Sequence, residues 1–155
     1  MNKYLNGMLS GLMATVALSL MMFAKDAMGV MPQLDVIKML SSMIGMTQFL
    51  LVGWMAHFLI GTVVWGILFS LLVPHLPGST YMRIGISFGV LAWSLMMVVV
   101  MPMAGAGLFG LNLTPMAPIA TLVLHVIYGA VLGLVYGIDA DKSVKATLNS
   151  PGQTW

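Results

Sequence analysis

Two histidines hold most of the chemical capacity of this chain. His57 opens the run His57-x-x-x-Gly61-x-x-x-Trp65-Gly66, and His125 opens His125-x-x-x-Gly129-x-x-x-Gly133. Both stand inside long apolar stretches, where an ionisable side chain is scarce and normally faces a partner instead of lipid. Three chemistries follow. A neutral imidazole can hydrogen-bond across helices, with Thr15 and Ser94 as polar partners at comparable depth. The pair can instead ligate a haem iron axially, the glycine beside each ring admitting a flat macrocycle to the backbone. That reading needs a gap between the rings, which tight glycine packing would abolish. The third option is a copper site. The chain has 17 methionines, and a thioether is a soft ligand suited to Cu(I). Met21, Met22, Met28 and Met31 fall toward the same side as Met96, Met97, Met101, Met103 and Met116. Against copper stands the ordinary use of methionine as a pliable filler of apolar cores.

Little else in the chain reads as chemistry. The absence of cysteine excludes disulfides, thiolate metal sites and a cysteine nucleophile. His75 sits in a Pro-rich turn and reads as a solvated loop residue. There is no Ser-His-Asp constellation, no paired carboxylates, no glycine-rich phosphate loop before a lysine, and no zinc motif. The four carboxylates all lie outside the apolar stretches, which argues against a carboxylate proton relay. A net charge of +2, spread without a basic run, excludes nucleic acid as a partner. The expectation is a protein that is not an enzyme.

The elements that position the histidines follow from composition. The chain of 155 residues is 60% hydrophobic and 6% charged, against about 25% charged in a typical soluble domain. Lipid is the solvent that such a surface fits. Four segments, about 4–24, 48–73, 82–101 and 117–138, supply the roughly 20 apolar residues that a membrane-crossing helix needs. In hydrocarbon the backbone must satisfy its own hydrogen bonds, so these segments are helices. The first is read as a retained helix and not a cleaved leader, because its apolar run is long and Ala24-Lys25-Asp26-Ala27 is a poor cleavage site. The predicted architecture is an all-α bundle of four transmembrane helices forming one domain, 1–138, followed by a polar cytoplasmic tail, 139–155.

Lys3, Arg83, Lys142 and Lys145 fall on one side of this arrangement and Lys25 and Lys38 on the other, which places the N- and C-terminal ends in the cytoplasm. Tyr4, Tyr81 and Tyr136 are expected near the cytoplasmic interface. In the first outer loop, Pro32 is expected to open a short interfacial helix, with Asp35, Lys38 and Ser42 on its polar face. The uncharged third loop, 102–118, is expected to fold back onto the bundle as a partly embedded lid.

The two halves repeat one another. Gly7-x-x-x-Gly11 precedes Leu18-Ser19-Leu20-Met21-Met22, and Gly85-x-x-x-Gly89 precedes Trp93-Ser94-Leu95-Met96-Met97. With the paired His-x-x-x-Gly runs, this predicts two helical hairpins related by a parallel repeat about the membrane normal. Gly7, Gly11, Gly61, Gly85, Gly89, Gly129 and Gly133 are assigned to helix packing, since close approach at small residues drives association in lipid. Under the repeat, His57 and His125 share one level. Each is about eight residues into its helix, or roughly 12 Å below the outer interface at 1.5 Å per residue.

The stretches Lys25-Asp-Ala-Met-Gly29, Pro32-Gln-Leu-Asp35, Gly53-Trp-Met-Ala-His57-Phe-Leu-Ile-Gly61, Trp65-Gly66 and Met101-Pro-Met-Ala-Gly-Ala-Gly107 resemble a family of small, uncharacterised four-helix bacterial inner-membrane proteins. The resemblance runs to about Gly137. It implies the fold and a bacterial inner-membrane location, and carries no activity to transfer. The leading functional expectation is a non-enzymatic accessory or scaffold component, partnered by the bilayer and by other membrane subunits or a second copy of itself. The alternatives are a haem- or metal-binding protein using His57 and His125, and a carrier or channel for a small molecule.

Overall fold

The computed structural model describes the backbone of residues 2–148 and side chains through residue 141. Over that range the fold is all-α. Helix α1 is Lys3–Ala27, started by Asn2, whose side chain accepts from the Tyr4 amide. Helix α2, Val36–Met43, lies in the first connection. Helices α3 (Leu50–His75) and α4 (Tyr81–Met103) follow, and α5 is Ala117–Leu148. The helices α1, α3, α4 and α5 are each long and apolar enough to cross a membrane, so the chain is a multi-pass membrane protein. The end bearing the α3–α4 turn is termed the lower end here, and the end bearing α2 the upper end.

Two of the spanning helices are interrupted. α3 runs through a π-helical segment at Ile60–Val64 and closes in a 3₁₀ turn at Val73–His75. α4 has a π-helical segment at Met96–Val100. Each such segment takes one residue more per turn than the α-helix around it.

Glycines set the helix contacts. A Cβ on Gly7 would meet the Gly66 carbonyl, and one on Gly66 the Gly7 carbonyl, so α1 and α3 touch backbone to backbone. Gly85 and Gly129 block one another in the same way and join α4 to α5. The other close approaches set Gly61 against Thr15, Gly11 against Gly61, Gly89 against the His125 carbonyl and Gly133 against Tyr81.

The lower half of the bundle is filled by aromatic rings. Phe69, Phe88 and Leu132 are fully buried, and the Phe69 ring lies 5.2 Å from both Phe88 and Tyr136, edge-on. Such T-shaped pairs bring a positive ring edge to a negative face. Asn6 Nδ2 donates to the Tyr136 carbonyl at 3.0 Å, fastening α1 to α5. Tyr136 is thus a core residue and not the interfacial ring expected, because Tyr81 lies tilted beside it at 5.9 Å and packs against the core it belongs to.

Two boundaries differ from expectation for reasons the residues supply. α2 begins after Asp35 instead of at Pro32, because the Asp35 carboxylate accepts from the Lys38 amide and caps the first turn. Its polar face is as expected, with Lys38 and Ser42 exposed. Its opposite face is docked on α3 at Gly53, where a Cβ would strike the Ile37 carbonyl and the Ser41 hydroxyl. α5 does not end at residue 138. No proline or glycine follows Gly137 until Pro151, so the helix continues to Leu148. The remainder of the predicted tail, 149–155, and the side chains of Lys142 and Lys145 lie outside the described residues.

The α4–α5 connection does fold back. Ala106 joins Leu34, Met97 and Met101 in a second buried cluster, and Phe109 packs on Trp93 at 5.9 Å. Gly105, Gly107 and Gly110 take φ values of 76°, 75° and 70°, a region that favours glycine.

Candidate functional site

The upper half of the bundle is hollow. A cavity of about 160 Å³ lies between the four spanning helices, and both imidazoles line it. Its other polar lining comes from Thr15, Thr121 and Tyr128; the rest is apolar.

Each polar group is placed by the backbone beneath it. Thr15 donates to the Gly11 carbonyl at 2.7 Å, and Ser19 to the Thr15 carbonyl at 2.8 Å. Such bonds to the preceding turn hold hydroxyls against their own helix in an apolar setting. Ser19, one turn above Thr15, then meets His57 Nε2 at 3.2 Å. With the Ser19 proton on the Thr15 carbonyl, the shorter of its two contacts, His57 takes the form in which Nε2–H donates and Ser19 Oγ accepts. His57 is 8% exposed, and Trp54 and Phe58 set their rings edge-on to it at 5.8 and 5.7 Å.

On α5, His125 Nδ1–H donates to the Thr121 carbonyl at 2.8 Å. Thr121 Oγ1 donates to the Ala117 carbonyl at 2.7 Å and accepts from Trp93 Nε1 at 3.1 Å, tying α4 to α5. Tyr128, one turn below His125, donates its hydroxyl to the Gly61 carbonyl at 2.7 Å, with Thr15 beside it. That bond crosses from α5 to the π segment of α3 and closes the cavity from below, with Trp65.

The roof is α2. Val36, Met39, Leu40 and Met43 face the cavity, whereas no residue of 102–118 does. The expected lid is therefore the first connection and not the third, because Gly53 lets α2 sit down on α3 while the 104–116 segment is occupied with Leu34 and Trp93.

Both histidines line one cavity, and their polar partners differ from those expected. His57 pairs with Ser19, not Thr15, since Thr15 lies level with Gly61, one turn lower. Ser94 is not at the site: its hydroxyl returns to the Val90 carbonyl at 2.9 Å. The two rings also lack equivalent neighbours. Gly11 packs beside Gly61 and Gly66, and Gly89 beside His125 and Gly129, a register difference of about one helical turn.

The space decides between the cofactor readings. A cavity near 150 Å³ holds a single benzene ring, so a four-pyrrole haem does not fit between His57 and His125 without moving the helices. For copper, the thioethers of Met22, Met39, Met43, Met96 and Met101 line the wall, while Met21, Met28, Met31, Met97, Met103 and Met116 do not. Among the described residues no three His, Asp or Glu side chains converge as a metal site.

Sequence reasoning did not single out Thr121 or Tyr128, and noted Ser19 and Trp65 only within longer runs. Ser19 was findable: Gly11, Thr15 and Ser19 follow at four-residue spacing on the face that meets α3. Tyr128 shares the His125 face at three residues, the spacing at which helical neighbours meet.

The chain belongs to a family of unknown function, DUF6789, whose model matches residues 1–146. No curated protein and no solved structure matches it.

Proposed function

We propose that this member of a family without an assigned activity is a non-catalytic membrane protein that holds a small, mainly apolar molecule in the upper half of its bundle. The observation that carries the proposal is the cavity of about 160 Å³ lined by all four spanning helices. Packed interiors leave few voids larger than a water molecule, and an apolar void near this size stays dry and takes up an aromatic ring. The aromatic layer of Phe69, Phe88 and Tyr136 fills the bundle below it, which favours holding over conduction. The cavity ranks ligand binding ahead of the accessory or scaffold role.

Xenon NMR on the protein in lipid nanodiscs tests this. A saturable, shifted xenon signal is expected from the wild type. Ala92→Phe, which points a ring into the cavity wall, removes it while leaving the helical circular dichroism unchanged. Wild-type protein with no saturable signal overturns the proposal.

We also infer an orientation with the lower end in the cytoplasm of a bacterial inner membrane. Lys3 and Arg83 stand at that end, followed in sequence by Lys142 and Lys145. At the upper end Lys25 pairs with Asp26, and Lys38 with Asp35 at 3.1 Å. The two hairpins are further read as copies of one unit. Gly61 and Gly66 are five apart, Gly129 and Gly133 four apart, and the π segment Ile60–Val64 supports the repeat by absorbing the extra residue.

A further inference from the structure

We propose that the molecule held in the cavity is a hydrogen-bond donor, of the phenol class, recognised by the bare ring nitrogens of His57 and His125. The inference rests on the cavity being a binding site and adds the chemistry of its occupant. A neutral imidazole has one N–H and one acceptor nitrogen, and the bond made by one nitrogen fixes the other. A carbonyl only accepts, so the Thr121 carbonyl keeps the proton on His125 Nδ1 and leaves Nε2 as the acceptor. Ser19 has one proton and gives it to Thr15, so His57 keeps its proton on Nε2 and leaves Nδ1 as the acceptor.

Neither acceptor has a hydrogen-bond partner among the described residues. Neither is fully enclosed by protein, since the buried side-chain polar atom left unpartnered among the described residues is Thr62 Oγ1, and both residues line the cavity. The other cavity hydroxyls, Thr15, Thr121 and Tyr128, already donate to backbone carbonyls. The hydroxyls of the wall thus have no free proton to give, and its bare acceptors are the two imidazole nitrogens; the Trp65 indole N–H also stands at the wall. A ligand matching it has an apolar ring that fits a one-ring space, with a hydroxyl to give.

Two isosteric probes separate the ligand class from the cavity itself. Para-fluorophenol and para-fluorotoluene differ in a hydroxyl against a methyl, and both are followed by fluorine NMR in nanodiscs, with concentrations counted in the membrane phase. Expected is saturable binding of both, with the phenol tighter by about tenfold, the worth of one well-made hydrogen bond. His125→Phe is expected to reduce the preference, and adding His57→Phe to abolish it, with para-fluorotoluene still bound. Equal saturable binding of the two probes by the wild type overturns the donor-ligand inference and leaves the apolar site standing. No saturable binding of either probe overturns both. The comparison on the wild type needs no variant to fold.

Discussion

The Gly61 carbonyl lies at the meeting point of three helices. Thr15 of α1 occupies the place of a Gly61 side chain, and Tyr128 of α5 donates to its oxygen at 2.7 Å. Tyr128→Phe removes that donor without changing the ring. Hydrogen bonds between membrane helices are worth about 1 kcal/mol in peptide systems, so a destabilisation of about that size is expected, measured by reversible unfolding in mixed micelles. Ser19→Ala removes the acceptor of His57. Nitrogen NMR is expected to show His57 as the Nε2–H form in the wild type and a mixture of both tautomers in the variant. At this scale the histidines were legible, because an ionisable group in an apolar helix must have a reason to be there. Their partners were not. Thr15, Ser19, Ser94 and Thr121 all bond the carbonyl four residues back, and which one also meets an imidazole depends on how two helices slide against each other.

The helices announce themselves more openly than their contacts. Hydropathy marked all four spans, and the small-residue stripes marked the faces that touch. Gly85→Leu is expected to prevent the α4–α5 hairpin from closing, since even a Cβ there meets the Gly129 carbonyl. The check is loss of the folded monomer in detergent size-exclusion chromatography. Leu91→Ala, on an exposed face of α4, is expected to leave it intact. The π segments left one faint trace, the five-residue step from Gly61 to Gly66, because no residue type specifies a π turn. The start of α2 was misjudged for a related reason. Proline at a first helical turn is permissive, whereas the Asp35 carboxylate makes an actual bond to a free amide.

At the scale of the whole molecule, class and membrane character were readable from composition, while the cavity was not. A void is what remains after every side chain has been placed, so no local pattern encodes it. The orientation is testable because the chain has no cysteine. A single Ser42→Cys is expected to react with an impermeant maleimide added outside intact cells, and Ser79→Cys only after the membrane is opened. The reverse pattern would turn the bundle over.

The contrast between a ring-filled lower half and a hollow upper half makes this a body of two stiffnesses. Close-packed interiors resist compression, and unfilled volume is what pressure removes first. Under hydrostatic load the walls around His57 and His125 yield while the layer around Phe88 holds its shape. High-pressure NMR is expected to show curved shifts for Ala92 and Leu124 and nearly linear ones for Leu132. A molecule seated in the hollow would flatten that difference, so the mechanical response of one end of the bundle becomes a gauge of whether it is occupied.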